Sequence, residues 1–114
     1  MSPRKSSTSS GRPPTRRPRY LGIEAAGEHL PALTPRWWET ALRAGLDRAG
    51  VSERFRLVRI DGRRAIAEID HGTAVRARSA WSAPLADRTT TLTTRRTWGT
   101  LRGAKRWLRD RSGD

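Results

Sequence analysis

The segment LTPRWWETALRAGLDRAG, residues 33–50, constrains the fold more than any other stretch, because it carries the signals of both ends of a helix. Thr34 is a typical N-cap, Pro35 suits the first helical position, and Gly50 supplies a left-handed stop. Trp37 lies at the edge of the apolar face, where a rim residue covering the core is favoured over an exposed aromatic for a partner. The segment predicts an amphipathic helix whose buried face consists of Trp38, Ala41, Leu42, Gly45, Leu46 and Ala49.

Strand patterns precede and follow this helix. Residues 19–26 form a short apolar run, and FRLVRIDGRRAIAEID reads as two strands around a turn. A loop over residues 61–64 would pair Ile60 with Ala65 and Val58 with Ala67, which collects apolar side chains on one face. RTTTLTTRRTW is β-branched almost throughout and predicts the last strand, with Leu92, Thr94, Arg96 and Trp98 on one face and Thr93, Arg95 and Thr97 on the other.

Two further helices complete the pattern. The segment GTAVRARSAWSAP predicts a second helix with Thr73 as its cap, with Ala74, Ala77 and Trp81 on one side. The order β-α-β-β-α-β-α then predicts an α+β, ferredoxin-like or RNA-recognition-like sandwich, with helices packed on one face of the sheet and an extra C-terminal helix. We expect a disordered basic tail over residues 1–18, a single domain over residues 19–111 and a disordered end over residues 112–114.

The charge of the chain indicates the class of partner. Lys and Arg number 24 against 11 acidic residues, for a net charge of +13 in 114 residues. Such a balance attracts polyanions, and arginine, the main cation here, matches phosphate groups bidentately. The chain has no cysteine, no apolar stretch of membrane-spanning length and no secretory signal, so we expect a cytoplasmic protein without a membrane partner. An organelle transit peptide is the alternative interpretation of the N-terminus.

The closing segment TWGTLRGAKRWLRDR carries the densest cationic pattern. Gly99 ends the strand and Thr100 caps a helix that turns Leu101, Ala104, Trp107 and Leu108 toward the core. The opposite face is cationic, and the helix N-terminus is a second place for a phosphate. A plain strand-to-helix turn and a solvated face are the structural alternatives. The predicted RNA-binding residues are Arg95, Arg96, Gly99, Thr100, Arg102, Lys105, Arg106 and Arg109.

Catalytic chemistry is not indicated. His29 and His71 lie in predicted loops, and the carboxylates of Glu24, Asp61 and Asp70 form no spaced acidic motif for a metal. The aromatic strand signature of the common RNA recognition motif is missing too, so cations and shape rather than base stacking on the sheet are expected to bind RNA.

Three segments, RPRYLGIE, AIAEID and TWGTLRGAKRW, resemble in order and spacing the archaeal and eukaryotic ribonuclease P protein component 2 family, the Pop-five-like subunit. That family opens with an Arg-Tyr-Leu strand, here Arg19, Tyr20 and Leu21, and closes with Ser-Gly-Thr before its last helix. Here Trp98 replaces the serine before Gly99 and Thr100.

The resemblance implies an RNA-recognition-like sandwich within the ribonucleoprotein that removes the 5′ leader of precursor tRNA. It also implies that catalysis belongs to the ribonuclease P RNA and its magnesium ions, so the protein binds no cofactor itself and is not catalytic alone. Its implied partners are that RNA, precursor tRNA and the component 3 subunit.

Other classes remain open from the residues alone. A ribosomal or other structural RNA-binding protein has the same charge pattern, and association with one particular RNA would separate the two. A small DNA-binding module would not depend on the 2′-hydroxyl group. An autonomous nuclease would cut RNA as the purified chain.

Overall fold

The computed structural model describes residues 17–86 and 88–110. Its elements follow the predicted order β-α-β-β-α-β-α. The predicted tail, up to Arg16, and the predicted C-terminal end lie outside the described residues, while Pro18 already belongs to the first strand. The elements are β1 (Pro18–Ala26), α1 (Pro35–Arg48), β2 (Arg56–Asp61), β3 (Arg64–Asp70), α2 (His71–Ala80), β4 (Thr91–Trp98) and α3 (Leu101–Arg109).

The strands form one antiparallel sheet in the order β2-β3-β1-β4. β1 lies in the centre, where Tyr20 pairs with Glu68 of β3 on one side and with Trp98 of β4 on the other. This topology is that of a ferredoxin-like α+β sandwich, which confirms the predicted fold class.

The helices lie on both faces of the sheet. α1 and α2 cover one face and enclose the main core, in which the indole Nε1 of Trp81 donates to the carbonyl of Leu42 at 3.0 Å. α3 covers the opposite face, where Ala104 and Leu108 pack on Ile66 of β3. The predicted packing on one face therefore holds for α1 and α2 and is wrong for α3, because alternate residues of β1 and β3 give each face of the sheet its own apolar patch.

The first helix has the predicted caps. The hydroxyl of Thr34 accepts a hydrogen bond from the backbone N–H of Trp37 at 3.1 Å, and Gly50 has a φ of +75°. Trp38 is fully buried, and the half-buried Trp37 packs edge to face against it with 5.1 Å between the ring centroids. The interpretation of Trp37 as a rim residue is confirmed.

The hairpin and the second helix differ in detail from the prediction. Ile60 does pair with Ala65, but a bulge in β2 places Leu57 rather than Val58 opposite Ala67, so Val58 turns toward α3. The cap of α2 is Asp70, whose carboxylate accepts from the N–H of Gly72 at 2.9 Å. The predicted cap, Thr73, is buried inside the helix, because β3 runs directly into α2 without a loop.

Within the described residues, no helix combines the length and the apolar character that crossing a bilayer requires.

Candidate nucleic-acid interface

A β-bulge in β4 decides which way two of the predicted arginines point. Ile23 of β1 pairs with Thr94 and Gly22 pairs with Arg96, so Arg95 is an extra residue in the ladder. The simple alternation predicted for this strand is therefore wrong, because one inserted residue shifts the later side chains to the other face. Arg95 and Arg96 both lie on the side of α3.

The ion pairs of Glu24 fix the position of Arg95 on this side. One carboxylate oxygen of Glu24 lies 3.6 Å from Nε of Arg95, and the other lies 3.9 Å from Nε of Arg64. Arg64 in turn lies under α3, with its guanidinium 4.6 Å from the ring centroid of Trp107. The carboxylate of Glu24 thus links the bulge of β4 to Arg64 beneath α3.

Two tryptophans pack over a glycine at the centre of this face. The rings of Trp98 and Trp107 lie 5.5 Å apart at an angle of 48°. A Cβ atom on Gly22 would stand 2.7 Å from Cζ3 of Trp107 and 2.8 Å from Cζ3 of Trp98, so a side chain there would displace the indoles. A Cβ atom on Gly103 of α3 would likewise stand 2.8 Å from Cδ1 of Trp98. The two glycines allow helix, indoles and sheet to approach this closely.

Arg64 fastens the end of α3 to the sheet. It is only 7% exposed, and its Nη1 donates to the carbonyl oxygens of Trp107 at 2.8 Å and Asp110 at 2.9 Å. These carbonyls lie in the last turn of α3 and at its C-cap, where a cation is favoured by the helix dipole. Arg64 is therefore a structural residue that holds the groove wall in place.

These elements enclose a groove of about 480 Å³ between β4 and α3. We call it the basic groove. Arg106 stands at its rim on the helix, and among the described residues Asp110 is the only acidic one that lines it. Guanidinium groups around an aromatic floor suit a ligand that combines negative charge with a flat ring. The lining residues are Arg95, Arg96, Trp98, Gly103, Arg106, Trp107 and Asp110.

The other predicted binding residues do not enter the groove. At about 100° per residue along the helix, Arg102 and Arg109 lie on the exposed crest of α3, on the far side of Arg106 from Gly103 and Trp107, and Lys105 lies on the flank away from the groove. Arg102 and Arg109 are exposed, and Lys105 is half-buried. The predicted set is thus split, and only Arg95, Arg96 and Arg106 come together.

The N-terminus of α3 has the predicted cap. The hydroxyl of Thr100 accepts from the N–H of Gly103 at 3.5 Å, and Gly99 is exposed. Nη1 of Arg19 lies 3.7 Å from the place a Gly99 Cβ would take, which adds a cation beside this turn. These contacts describe an ordinary capped helix start beside a cationic side chain.

Sequence reasoning missed the residues that build the groove. It assigned Trp107 to the core, Trp98 only to a strand face, and no role to Glu24 as a partner of arginines. Two glycines and two tryptophans lie in segments that become adjacent in the fold: Gly22, Gly103, Trp98 and Trp107. Their contact depends on the pairing of β1 with β4, so the residue types were the available signal and their positions were not.

The second large depression differs from the basic groove. It has a volume of about 1010 Å³ on the α1 and α2 side, and Arg48, Arg76 and Arg88 stand among small residues. Within residues 17–86 and 88–110, no aromatic side chain lines it. It offers cations without a surface on which a flat ring can stack.

The described residues do not assemble a metal-binding cluster of three or more His, Asp or Glu side chains. His29 is exposed in the segment after β1, and His71 is exposed as the first residue of α2 rather than in a loop.

Comparison with known proteins gives a likeness in fold. A chain in the cryo-EM structure of yeast ribonuclease MRP superimposes with a TM-score of 0.65 at 14% sequence identity, over 79% of this chain and 79% of that one. No protein-family model matches the sequence. No curated protein matches it either.

Proposed function

We propose that this chain is an RNA-binding subunit of a ribonucleoprotein of the ribonuclease P and MRP type. The observation that carries the proposal is the basic groove, where Arg95, Arg96 and Arg106 converge beside two indoles. A net charge of +13 supplies long-range attraction to a polyanion, and the groove supplies a defined place for it.

Two independent likenesses favour this class of complex. The sequence segments around Arg19, Ala65 and Trp98 resemble the ribonuclease P component 2 family, and the fold matches a chain of yeast ribonuclease MRP, an enzyme related to ribonuclease P. The proposed assembly contains a ribonuclease P RNA, a component 3 subunit and, as substrate, precursor tRNA.

In this proposal the protein binds RNA and leaves catalysis to it. Magnesium ions held by the RNA would supply the chemistry of phosphodiester cleavage. The groove arginines would neutralise phosphates where RNA strands approach closely, which favours the compact form of the RNA.

The first experiment identifies the RNA. The tagged protein is isolated from its own cells and the copurifying RNA is sequenced. We expect enrichment of one structured RNA that cleaves precursor tRNA in the presence of magnesium. Enrichment of ribosomal RNA or of DNA instead would support the structural RNA-binding or DNA-binding alternative and contradict the proposal.

The second experiment measures cleavage. We expect the purified chain alone to leave precursor tRNA intact. When it is added to the ribonuclease P RNA and the component 3 subunit, we expect the rate of cleavage to rise. The matched variants are Arg95→Gln/Arg96→Gln/Arg106→Gln, which should lose this stimulation, and Arg36→Gln/Arg54→Gln/Arg76→Gln, which removes equal charge from the side of α1 and α2. Cutting by the chain alone that disappears in His71→Ala would show an autonomous nuclease.

A further inference from the structure

The basic groove combines arginines with an aromatic surface, and the two features make different demands on a ligand. Phosphate groups alone would be bound equally well by exposed arginines without any ring, as on the crest of α3. A half-buried pair of indoles at the base of the arginines adds a flat apolar surface that a phosphate does not use. The ligand that uses both carries a flat aromatic group next to its negative charge.

We propose that the basic groove binds an unpaired nucleotide of RNA, with its base stacked on Trp98 and its flanking phosphates on Arg96 and Arg106. This inference rests on the proposed RNA-binding function and adds the form of the RNA and the ring that contacts it. An unpaired base has a free π-face, whereas a base inside a duplex is already stacked on its neighbours.

Trp98 is the stacking ring because the surroundings of Trp107 are occupied. The guanidinium of Arg64 covers the Trp107 ring at 4.6 Å, and the backbone carbonyl of Trp107 accepts from the same arginine at 2.8 Å. Trp107 is thereby fixed as the floor of the groove. Trp98 lies against Gly22 through Cζ3 and against Gly103 through Cδ1, and it lines the groove beside Arg96, its neighbour but one along β4.

The charges along the groove give the nucleotide a direction. Arg95 lies 3.6 Å from Glu24, so part of its charge is already balanced. Asp110 is the C-cap of α3, so an acidic residue borders the groove at the C-terminal end of this helix. Arg96 and Arg106 lie between that end and Trp98, so phosphates adjacent to a stacked base meet these two side chains.

The shape of the groove favours one strand over two. Its volume of about 480 Å³ is that of a small-ligand site. Both indoles are half-buried whereas the three arginines are exposed, so a duplex reaches the arginines with its phosphates more easily than it brings a base to Trp98.

The test compares a single-stranded RNA of about eight nucleotides, a usual footprint for a single-strand site, with a hairpin of the same composition. For the wild-type chain we expect tighter binding of the single strand at equal salt, together with quenching of tryptophan fluorescence. Equal affinity for both forms would overturn the proposal without need of any variant.

The variant Trp98→Leu isolates the stacking contribution. We expect its affinity for the single strand to fall by roughly 5- to 150-fold, the usual effect of removing one base–aromatic contact, with an unchanged salt dependence and little change for the hairpin. Trp37→Leu is the matched control, because this half-buried indole lies on the other layer, and it should bind as the wild type does.

The outcomes separate this inference from the function on which it rests. If folded Trp98→Leu binds the single strand as tightly as the wild type while the Arg95, Arg96 and Arg106 variant binds weakly, the groove contacts phosphates only and the stacking proposal is wrong. If the wild-type chain binds neither RNA form, the RNA-binding function itself fails. If Trp98→Leu does not fold, the proposal is tested by the preference of the wild-type chain for the single strand and by the quenching of its tryptophan fluorescence.

Discussion

The two faces of the sheet have opposite constructions. The α1 and α2 face is closed by a continuous apolar core that contains the fully buried Trp38 and Trp81. The α3 face has a small apolar patch around Ile66, and beyond it lie a buried arginine, paired indoles and exposed cations. The first face is a closed apolar core that stabilises the fold. The second face is less completely packed and carries cationic and aromatic side chains whose chemistry suits a polyanion.

The difference shows how one sheet divides two tasks. Successive residues of a strand point to opposite faces, so β1 gives Leu21 and Ile23 to the core and turns Gly22 and Glu24 to the side of α3. A substitution can therefore damage one face while leaving the other intact.

Removing Trp38 should damage the core most. Trp38→Ala deletes a fully buried indole and should lower the free energy of unfolding by about 3 to 5 kcal/mol. Trp37→Ala, at the rim of the same helix, should cost far less. Denaturant unfolding of both variants measures the difference, and equal losses would mean that the stability of α1 does not depend on the face described.

Removing Arg64 should release α3 while the rest of the sheet stays folded. Arg64→Met keeps an unbranched side chain but loses charged hydrogen bonds to the carbonyls of Trp107 and Asp110, worth about 2 to 3 kcal/mol together once water replaces part of them. Hydrogen exchange should rise in α3 and stay low in β1. Uniform loss of protection across the sheet would contradict independent faces.

Adding one methyl group at Gly22 should disturb the groove from below. Gly22→Ala places a Cβ 2.7 Å from Trp107 and 2.8 Å from Trp98, and such overpacking costs about 1 to 3 kcal/mol. We expect altered tryptophan fluorescence and weaker RNA binding. The control is Gly72→Ala, because its Cβ would meet only the Asp70 carboxylate at 3.1 Å, away from both indoles.

Local signals in the sequence account for the predicted parts of the fold. The caps of α1 are short-range features, and Thr34 and Gly50 have the predicted roles. The pairing of Ile60 with Ala65 follows from the turn and the apolar alternation next to it. Such elements require only information carried within about one helical turn or one hairpin.

The candidate site depends on long-range pairing, which local patterns do not contain. The bulge that turns Arg95 toward α3 exists only because β4 pairs with β1 at Gly22 and Ile23. Arg64 appears in the sequence as a turn arginine, yet it is buried because α3 folds over it. The cationic character of α3 was predictable, whereas the division of its cations between groove, crest and flank was not.

The variant with the smallest loss of stability should show the largest loss of RNA affinity. Arg95→Gln/Arg96→Gln/Arg106→Gln changes exposed side chains, so each should shift the free energy of unfolding by no more than about 0.5 kcal/mol. The crest variant Arg102→Gln/Arg109→Gln tests the alternative that the exposed face of α3 binds RNA without the groove. We expect it to weaken binding less than the groove variant.

The salt dependence of RNA affinity distinguishes binding in the basic groove from attraction to the total charge of the chain. Each lost phosphate contact on a single strand should reduce the slope of log K against log salt by about 0.7, so losing the contacts of Arg96 and Arg106 should lower the slope of the groove variant by about 1.4 between roughly 50 and 200 mM salt. The Arg36, Arg54 and Arg76 variant, with the same net charge, should keep the wild-type slope. Equal slopes for the two variants would contradict the account, because RNA would then respond to total charge and not to the groove between β4 and α3.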